Sequence, residues 1–157
     1  MIEIERKFLV IGDFLPFVMR KEKIVQAYLC NTPQKNVRVR VKGEKAYVTI
    51  KGPSNKNGFS RCEFEYEIPV ADAEEMLKLC EPGFIEKTRH YIVYENYTFE
   101  VDVFYGANEG LVLAELELED ESQEFPKPDW LGEEVTGDVR YYNAYLIRHP
   151  FKETNHS

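Results

Sequence analysis

Glu3, Glu5 and Lys7 stand two residues apart in the stretch Ile2 to Val10. Side chains on a β-strand alternate between faces, so these three share one face while Ile2, Ile4, Arg6 and Phe8 take the other. Like charges side by side gain nothing for folding. Such a face calls for solvent, for countercharge, or for a metal ion and its ligand. The same alternation recurs along the chain. Arg38, Arg40 and Lys42 form one basic set and Lys87 and Arg89 another, while Glu63, Glu65 and Glu67, Glu100 and Asp102, and Glu115, Glu117 and Glu119 form acidic sets. A single charged strand face is ordinarily a wet one, yet surfaces built only for solubility mix their signs. Grouped carboxylates are hard oxygen ligands for Mg²⁺ or Mn²⁺, and paired Arg and Lys suit phosphate oxygens. Together they describe metal-assisted polyphosphate chemistry, in which catalysis is mostly positioning and charge neutralisation.

The elements that must carry these residues are strands. Period-two patterning predicts strands over 1–10, 24–30, 37–43, 45–52, 60–69, 85–94, 97–104 and 111–119. In the second, Val25, Ala27 and Leu29 oppose Gln26 and Tyr28. A Gly43-Glu44 turn and a Glu95-Asn96 turn mark hairpins. Residues 52–59, with two glycines and a proline, form a flexible loop and a candidate lid. The clearest helix runs from Asp72, as N-cap, to Cys80, burying Ala73, Met76, Leu77 and Cys80. A short helix capped by Asp13 over 13–20 and a terminal helix capped by Asp138 over 138–147, with Pro150 beyond its end, complete the set. Eight strands in hairpin-like steps point to a mainly β (α+β) fold, a meandering antiparallel sheet that curls closed and so removes its edges.

The chain has 157 residues, the length of one domain with a sizeable core. A net charge of −8 argues against general nucleic-acid binding, which shows a basic face. Cys30, Cys62 and Cys80 have no CxxC spacing, which favours reduced thiols and a cytoplasmic setting over a disulfide framework. Glu3, Glu5, Arg6 and Lys7 rule out a signal-peptide core in that stretch. No apolar run is long enough for a transmembrane helix, so no membrane role is expected. His90 falls out of phase with Lys87 and Arg89, which reads as packing. No P-loop and no Gly-x-Ser-x-Gly is present. The sequence leaves the oligomeric state open and admits a homodimer.

Glu3-Ile4-Glu5-Arg6-Lys7 resembles the ExExK signature of the CYTH domain, or triphosphate tunnel metalloenzyme, superfamily. The resemblance continues through Val37-Arg38-Val39-Arg40, Thr49-Ile50-Lys51, Arg61-Cys62-Glu63-Phe64-Glu65, Glu86-Lys87-Thr88-Arg89, Glu100-Val101-Asp102, Glu115-Leu116-Glu117 and Gly132-Glu133-Glu134-Val135-Thr136. It implies an eight-stranded closed barrel, a triphosphate tunnel, with a few helices outside it and at the C-terminus. By the same resemblance Glu3, Glu5, Glu115 and Glu117 bind Mg²⁺ or Mn²⁺, with Glu63, Glu65 and Asp102 in support. Lys7, Arg38, Arg40, Lys51, Lys87 and Arg89 clamp the phosphates, Arg61 assists, and Lys7 with Tyr28 activates the attacking water. Short members with this tail resemble inorganic triphosphatases that split tripolyphosphate. Class IV adenylate cyclases, thiamine triphosphatases and a non-catalytic polyphosphate- or nucleotide-binding module are the alternatives within that likeness.

Overall fold

The computed structural model describes residues 2–55 and 60–154, with the backbone alone for Ile2, Glu3, Ser54, Glu153 and Thr154. The strands are β1 (Ile2–Val10), β2 (Arg20–Asn31), β3 (Asn36–Lys42), β4 (Lys45–Ser54), β5 (Ser60–Ile68), β6 (Ile85–Tyr94), β7 (Tyr97–Phe104), β8 (Val112–Glu117) and β9 (Leu131–Glu134). Three helices accompany them: α1 (Val70–Leu77), α2 (Asn143–Arg148) and α3 (Phe151–Thr154). All strand pairs are antiparallel, in the order β5-β4-β3-β2-β6-β7-β8-β1-β9, and β1 also pairs with β5. The first eight strands therefore close into a barrel, and β9 is an extra strand lying beside β1.

The barrel is not one continuous meander. β2 to β5 form one run of hairpins and β6 to β8 another. α1 carries the chain across from β5 so that β6 lies against β2, and β1 fills the seam between β8 and β5. At the β6–β7 turn Glu95 and Asn96 have φ of 48° and 70°, the left-handed pair that matches the twist of a two-residue hairpin.

The apolar residues lie mainly outside the barrel wall. Phe8, Ile92, Phe99, Val101, Ala114 and Leu116 point outward and are covered by Phe14, Leu118, Trp130 and Leu131. On another side Ala73 of α1 packs on Val39 and Ala46, with Met76, Leu77 and Cys80 partly buried around them. A third cluster, including Phe104, Leu113, Val135 and Leu146, joins α2 to the wall. The wall thus carries its packed apolar clusters mainly on the outside, leaves Ile50, Phe64 and Tyr66 exposed there, and turns its charged residues inward.

Several sequence expectations change in detail. The first α-helix begins at Val70, not Asp72. Pro69 occupies the N-cap with φ −60° and ψ 140°, and Asp72 lies in the first turn without capping it. After Leu77 the chain tightens into i to i+3 bonds, such as Cys80 N–H to the Leu77 carbonyl at 3.3 Å. The segment after Asp13 forms only a 3-10 turn, Leu15–Phe17, although the Asp13 carboxylate does accept from the Leu15 N–H at 3.1 Å. The expected terminal helix is broken in two. Asp138 accepts from the Arg140 N–H at the head of a 3-10 turn over Val139–Tyr141, α2 follows, and α3 starts beyond Pro150. Cys30, Cys62 and Cys80 are free thiols. Residues 56–59 of the candidate lid lie outside the described residues.

Candidate active site

Cross-strand neighbours face the same side of a sheet, so the register decides what shares the interior. Glu5 is opposite Glu117, Lys7 opposite Glu115, and Glu115 opposite Glu100. Arg89 is opposite Asp102, Arg38 opposite Tyr28 and Thr49, and Arg40 opposite Gln26. Thr49 is opposite Glu65 and Lys51 opposite Glu63. These pairs face the barrel interior, whose central cavity of about 220 Å³ is lined by six cations (Arg38, Arg40, Lys42, Lys51, Lys87, Arg89), six glutamates (Glu5, Glu63, Glu65, Glu100, Glu115, Glu117) and Asn143.

Strand order sorts these charges around the wall. The cations project from β3, β4 and β6, which with β2 form one contiguous arc. The carboxylates project from β5, β1, β8 and β7, which form the other. One half-cylinder is basic and the other acidic.

The basic arc is held in place by buried partners. Asp102, 1% exposed, takes Arg89 at 2.8 Å and 2.9 Å and Lys87 at 2.7 Å. Lys87 also donates to Asn143 Oδ1 at 3.2 Å. Glu65 accepts from Thr49 Oγ1 at 2.8 Å and lies 3.5 Å and 3.4 Å from the Arg38 and Arg40 guanidinium groups. Burial, together with Arg38 and Arg89, pulls Arg40 down to about 10. Burial also pulls Lys87 down to about 8, with Asp102 resisting. Among the described residues, Nε of Arg38 and of Arg40 and both amide atoms of Gln26 are buried without a hydrogen-bond partner. Desolvated cations with unspent donors form a receptor for an anion rich in oxygen.

On the acidic arc, burial opposes ionisation of Glu115, but Lys7, Arg89 and Lys87 outweigh it and hold the carboxyl well below its usual range. Asp102 is likewise held low by Arg89 and Lys87 against its burial. Burial opposes the Lys7 charge, yet Glu115, Glu5 and Asp102 raise its pKa. Lys7 is therefore a firmly protonated donor, 3.6 Å from Glu115 and 3.1 Å from the Tyr141 carbonyl.

Asp102 and Glu115 titrate lower in the folded chain than in the unfolded one, so the stability they contribute is complete above their ordinary values, near 4, and is lost as pH falls toward the folded values. We expect the thermal midpoint to drop between about pH 5 and about pH 2, and to drop less steeply in Asp102→Asn. A wild-type midpoint that stays flat over that range would refute the coupling.

Not every expected site residue reaches the central cavity. Arg61 lies in an end chamber of about 570 Å³ together with Tyr28, Tyr142, Tyr145, Arg148 and His149. Its guanidinium donates to the Gly52 carbonyl at 3.1 Å and 2.9 Å. Lys7 borders the same chamber. Asp102 lies behind the cations as their counter-ion, and the Glu3 side chain lies outside the described residues. His90 is buried on the outer face against Phe14, with Nδ1 3.1 Å from the Val101 carbonyl. Lys42 and Glu100 are additional lining residues, and strand phase alone could have found both. Asn143 comes from α2 and carried no local signal.

A CYTH domain model matches residues 1–147. The chain belongs to the CYTH family. It is 51% identical over 151 residues to the inorganic triphosphatase of Acetivibrio thermocellus, covering 96% of each protein. It is 39% identical to that of Nitrosomonas europaea, covering 93% of this chain and 97% of the other. The crystal structure of the inorganic triphosphatase NE1496 superposes with a TM-score of 0.66 at 36% identity, covering 92% of this chain and 93% of that one.

CYTH membership implies a divalent metal ion. Among the described residues no three His, Cys, Asp or Glu side chains converge as a ready-made cage, and the donors fit the ion nonetheless. Glu5, Glu115 and Glu117 face one another from β1 and β8, and the cavity offers carboxylate oxygens with no thiol or imidazole. Hard divalent ions are often held by one or two carboxylates with the remaining ligands from phosphate and water, and a half-cylinder of carboxylates facing one of cations suits that division. No helix among the described residues is long and apolar enough to cross a membrane.

Proposed function

We infer that this CYTH chain is a divalent-metal-dependent hydrolase that splits inorganic tripolyphosphate into pyrophosphate and phosphate. The observation that carries the reading is the division of one small cavity into a basic and an acidic half, each built from six charged side chains. A triphosphate with its metal is a ligand that satisfies both halves at once.

In this reading Arg38, Arg40, Lys51, Lys87 and Arg89 bind and orient the phosphoryl oxygens, with Lys42 beside them. Asp102 and Glu65 hold those cations in register, and Arg61 contributes from the end chamber. Glu5, Glu115 and Glu117, with Glu3 and Glu63 flanking them, are the carboxylates that would hold Mg²⁺ or Mn²⁺. When bound, such an ion neutralises phosphoryl charge and orders substrate and water. Lys7, protonated and close to Glu115, is assigned to hold the attacking water and the charge that develops near it, and Tyr28 is its partner at the chamber side. As the water oxygen bonds to the terminal phosphorus, the bond to the bridging oxygen breaks and pyrophosphate leaves, while the proton of the water passes to a phosphate oxygen of the products. Three free thiols suit a reducing, cytoplasmic setting.

Phosphate release from tripolyphosphate, ATP and thiamine triphosphate, each with Mg²⁺ and with Mn²⁺, tests the reading. Fastest turnover on tripolyphosphate, abolished by a chelator, is the expected result. Cyclic AMP as the main product from ATP, or binding of tripolyphosphate with no turnover under any metal, would overturn it.

A further inference from the structure

One edge of β1 is covered by two different strands with a gap between them. β5 pairs with Ile2 to Ile4, and β9 pairs with Phe8 and Val10 through an irregular register. Lys7 sits in the gap. Its N–H and C=O both turn to this edge, away from β8, so its pairing with Glu115 is of the non-hydrogen-bonded kind that brings side chains close. The segment after β9 satisfies both groups. The Val135 N–H donates to the Lys7 carbonyl at 2.8 Å, and the Lys7 N–H donates to Thr136 Oγ1 at 2.8 Å.

A side-chain hydroxyl here stands in for a missing strand, and it is itself anchored. Thr136 Oγ1 donates to Glu134 Oε2 at 2.6 Å, and Glu134 is gripped through both carboxylate oxygens by the Arg6 guanidinium. The chain then runs directly to Tyr141, whose carbonyl accepts from Lys7 Nζ, and to Asn143, which accepts from Lys87. Arg6 and Lys7 are thus used on opposite faces of the same strand. The outward arginine fixes the clamp, and the clamp fixes the peptide of the inward lysine.

We propose that Thr136, anchored by Glu134 and Arg6, is a positioning residue that sets the place of the Lys7 ammonium at the border of the end chamber, beside Glu115. The proposal rests on the assignment of Lys7 to the reaction. Substrate grip comes from other strands, so losing the clamp should act on turnover more than on binding; displacements of about 1 Å near a reacting centre cost about 10²-fold.

The test compares Thr136→Val, which keeps shape and loses the hydroxyl, with Thr136→Ser, which keeps the hydroxyl, using tripolyphosphate and saturating metal. Thr136→Val should lower kcat about 10²-fold with KM changed by less than about 3-fold, and Thr136→Ser should recover kcat to within about 3-fold of wild type. Equal loss in both variants, a loss confined to KM, or wild-type kcat in Thr136→Val would overturn the proposal. Should Thr136→Val fail to fold, Glu134→Gln, which weakens the hold on both Arg6 and the hydroxyl, carries the same direction in kcat, and an unchanged kcat there overturns it. Lys7→Ala in the same assay separates the two claims. If Lys7→Ala is impaired while Thr136→Val is not, positioning alone fails; if Lys7→Ala turns over normally, the Lys7 assignment fails and takes the proposal with it.

Discussion

Asp102→Asn should cost about 3–5 kcal/mol of folding stability, the range for removing one partner from a buried ion pair. Asp102 and Lys87 each have side chains 1% exposed, and Arg89 is 7% exposed, so water cannot replace the lost carboxylate. The amide also aims an N–H₂ group at two cations that need acceptors. Denaturant unfolding in metal-free buffer measures the loss. Tripolyphosphate should restore part of it, because an anion in the cavity faces the same Lys87 and Arg89. A loss below about 1 kcal/mol would mean that the pair does not depend on Asp102 as its counter-ion. The expected change thus separates a structural carboxylate from a metal-binding one, whose loss would be felt mainly in turnover.

Glu117→Gln makes the opposite case. Its side chain is exposed to the cavity, and it faces Glu5 across the β1–β8 pair. Two carboxylates in register repel unless a cation lies between them. Replacing one should leave stability within about 1 kcal/mol of wild type, while metal-dependent turnover falls about 10²-fold or more and half-saturation shifts to higher metal concentration. Glu115→Gln should show the same loss of turnover with a larger loss of stability, since Glu115 is buried against Lys7. Wild-type metal dependence in Glu117→Gln would remove the β1–β8 carboxylates from the metal site. Unfolding of that variant would make Glu117 structural.

The two variants divide the charged residues by where burial puts them, and this division is not visible in the sequence. Asp102 and Glu117 look alike there, each an acidic residue in phase with another on a strand. In the fold, Asp102 lies behind the cations and Glu117 lies in front of them. Similarly, Arg61 and Lys87 look like equivalent basic residues, yet Arg61 bonds to the Gly52 carbonyl at the chamber end and Lys87 reaches the centre. The helix ends also differ from what local capping signals predict. Pro69 begins α1 ahead of the better capping residue Asp72, because the chain leaves β5 in the extended conformation that proline already holds.

Which residues share a face can be read from spacing. Alternation with a period of two is local and survives whatever the strand pairs with, so Glu5 and Lys7, Arg38 and Arg40, Lys87 and Arg89, and Glu115 and Glu117 could be grouped from their spacing alone. Which faces meet depends on the folded chain. Strand neighbours are set by packing between distant segments: α1 moving the chain from β5 to a place beside β2, and β1 closing the seam between β8 and β5. That order gathers the basic strands into one arc and the acidic strands into the other. The same long-range packing brings Thr136 to the Lys7 peptide and Asn143 to the Lys87 ammonium, contacts between residues more than fifty positions apart that no local pattern encodes.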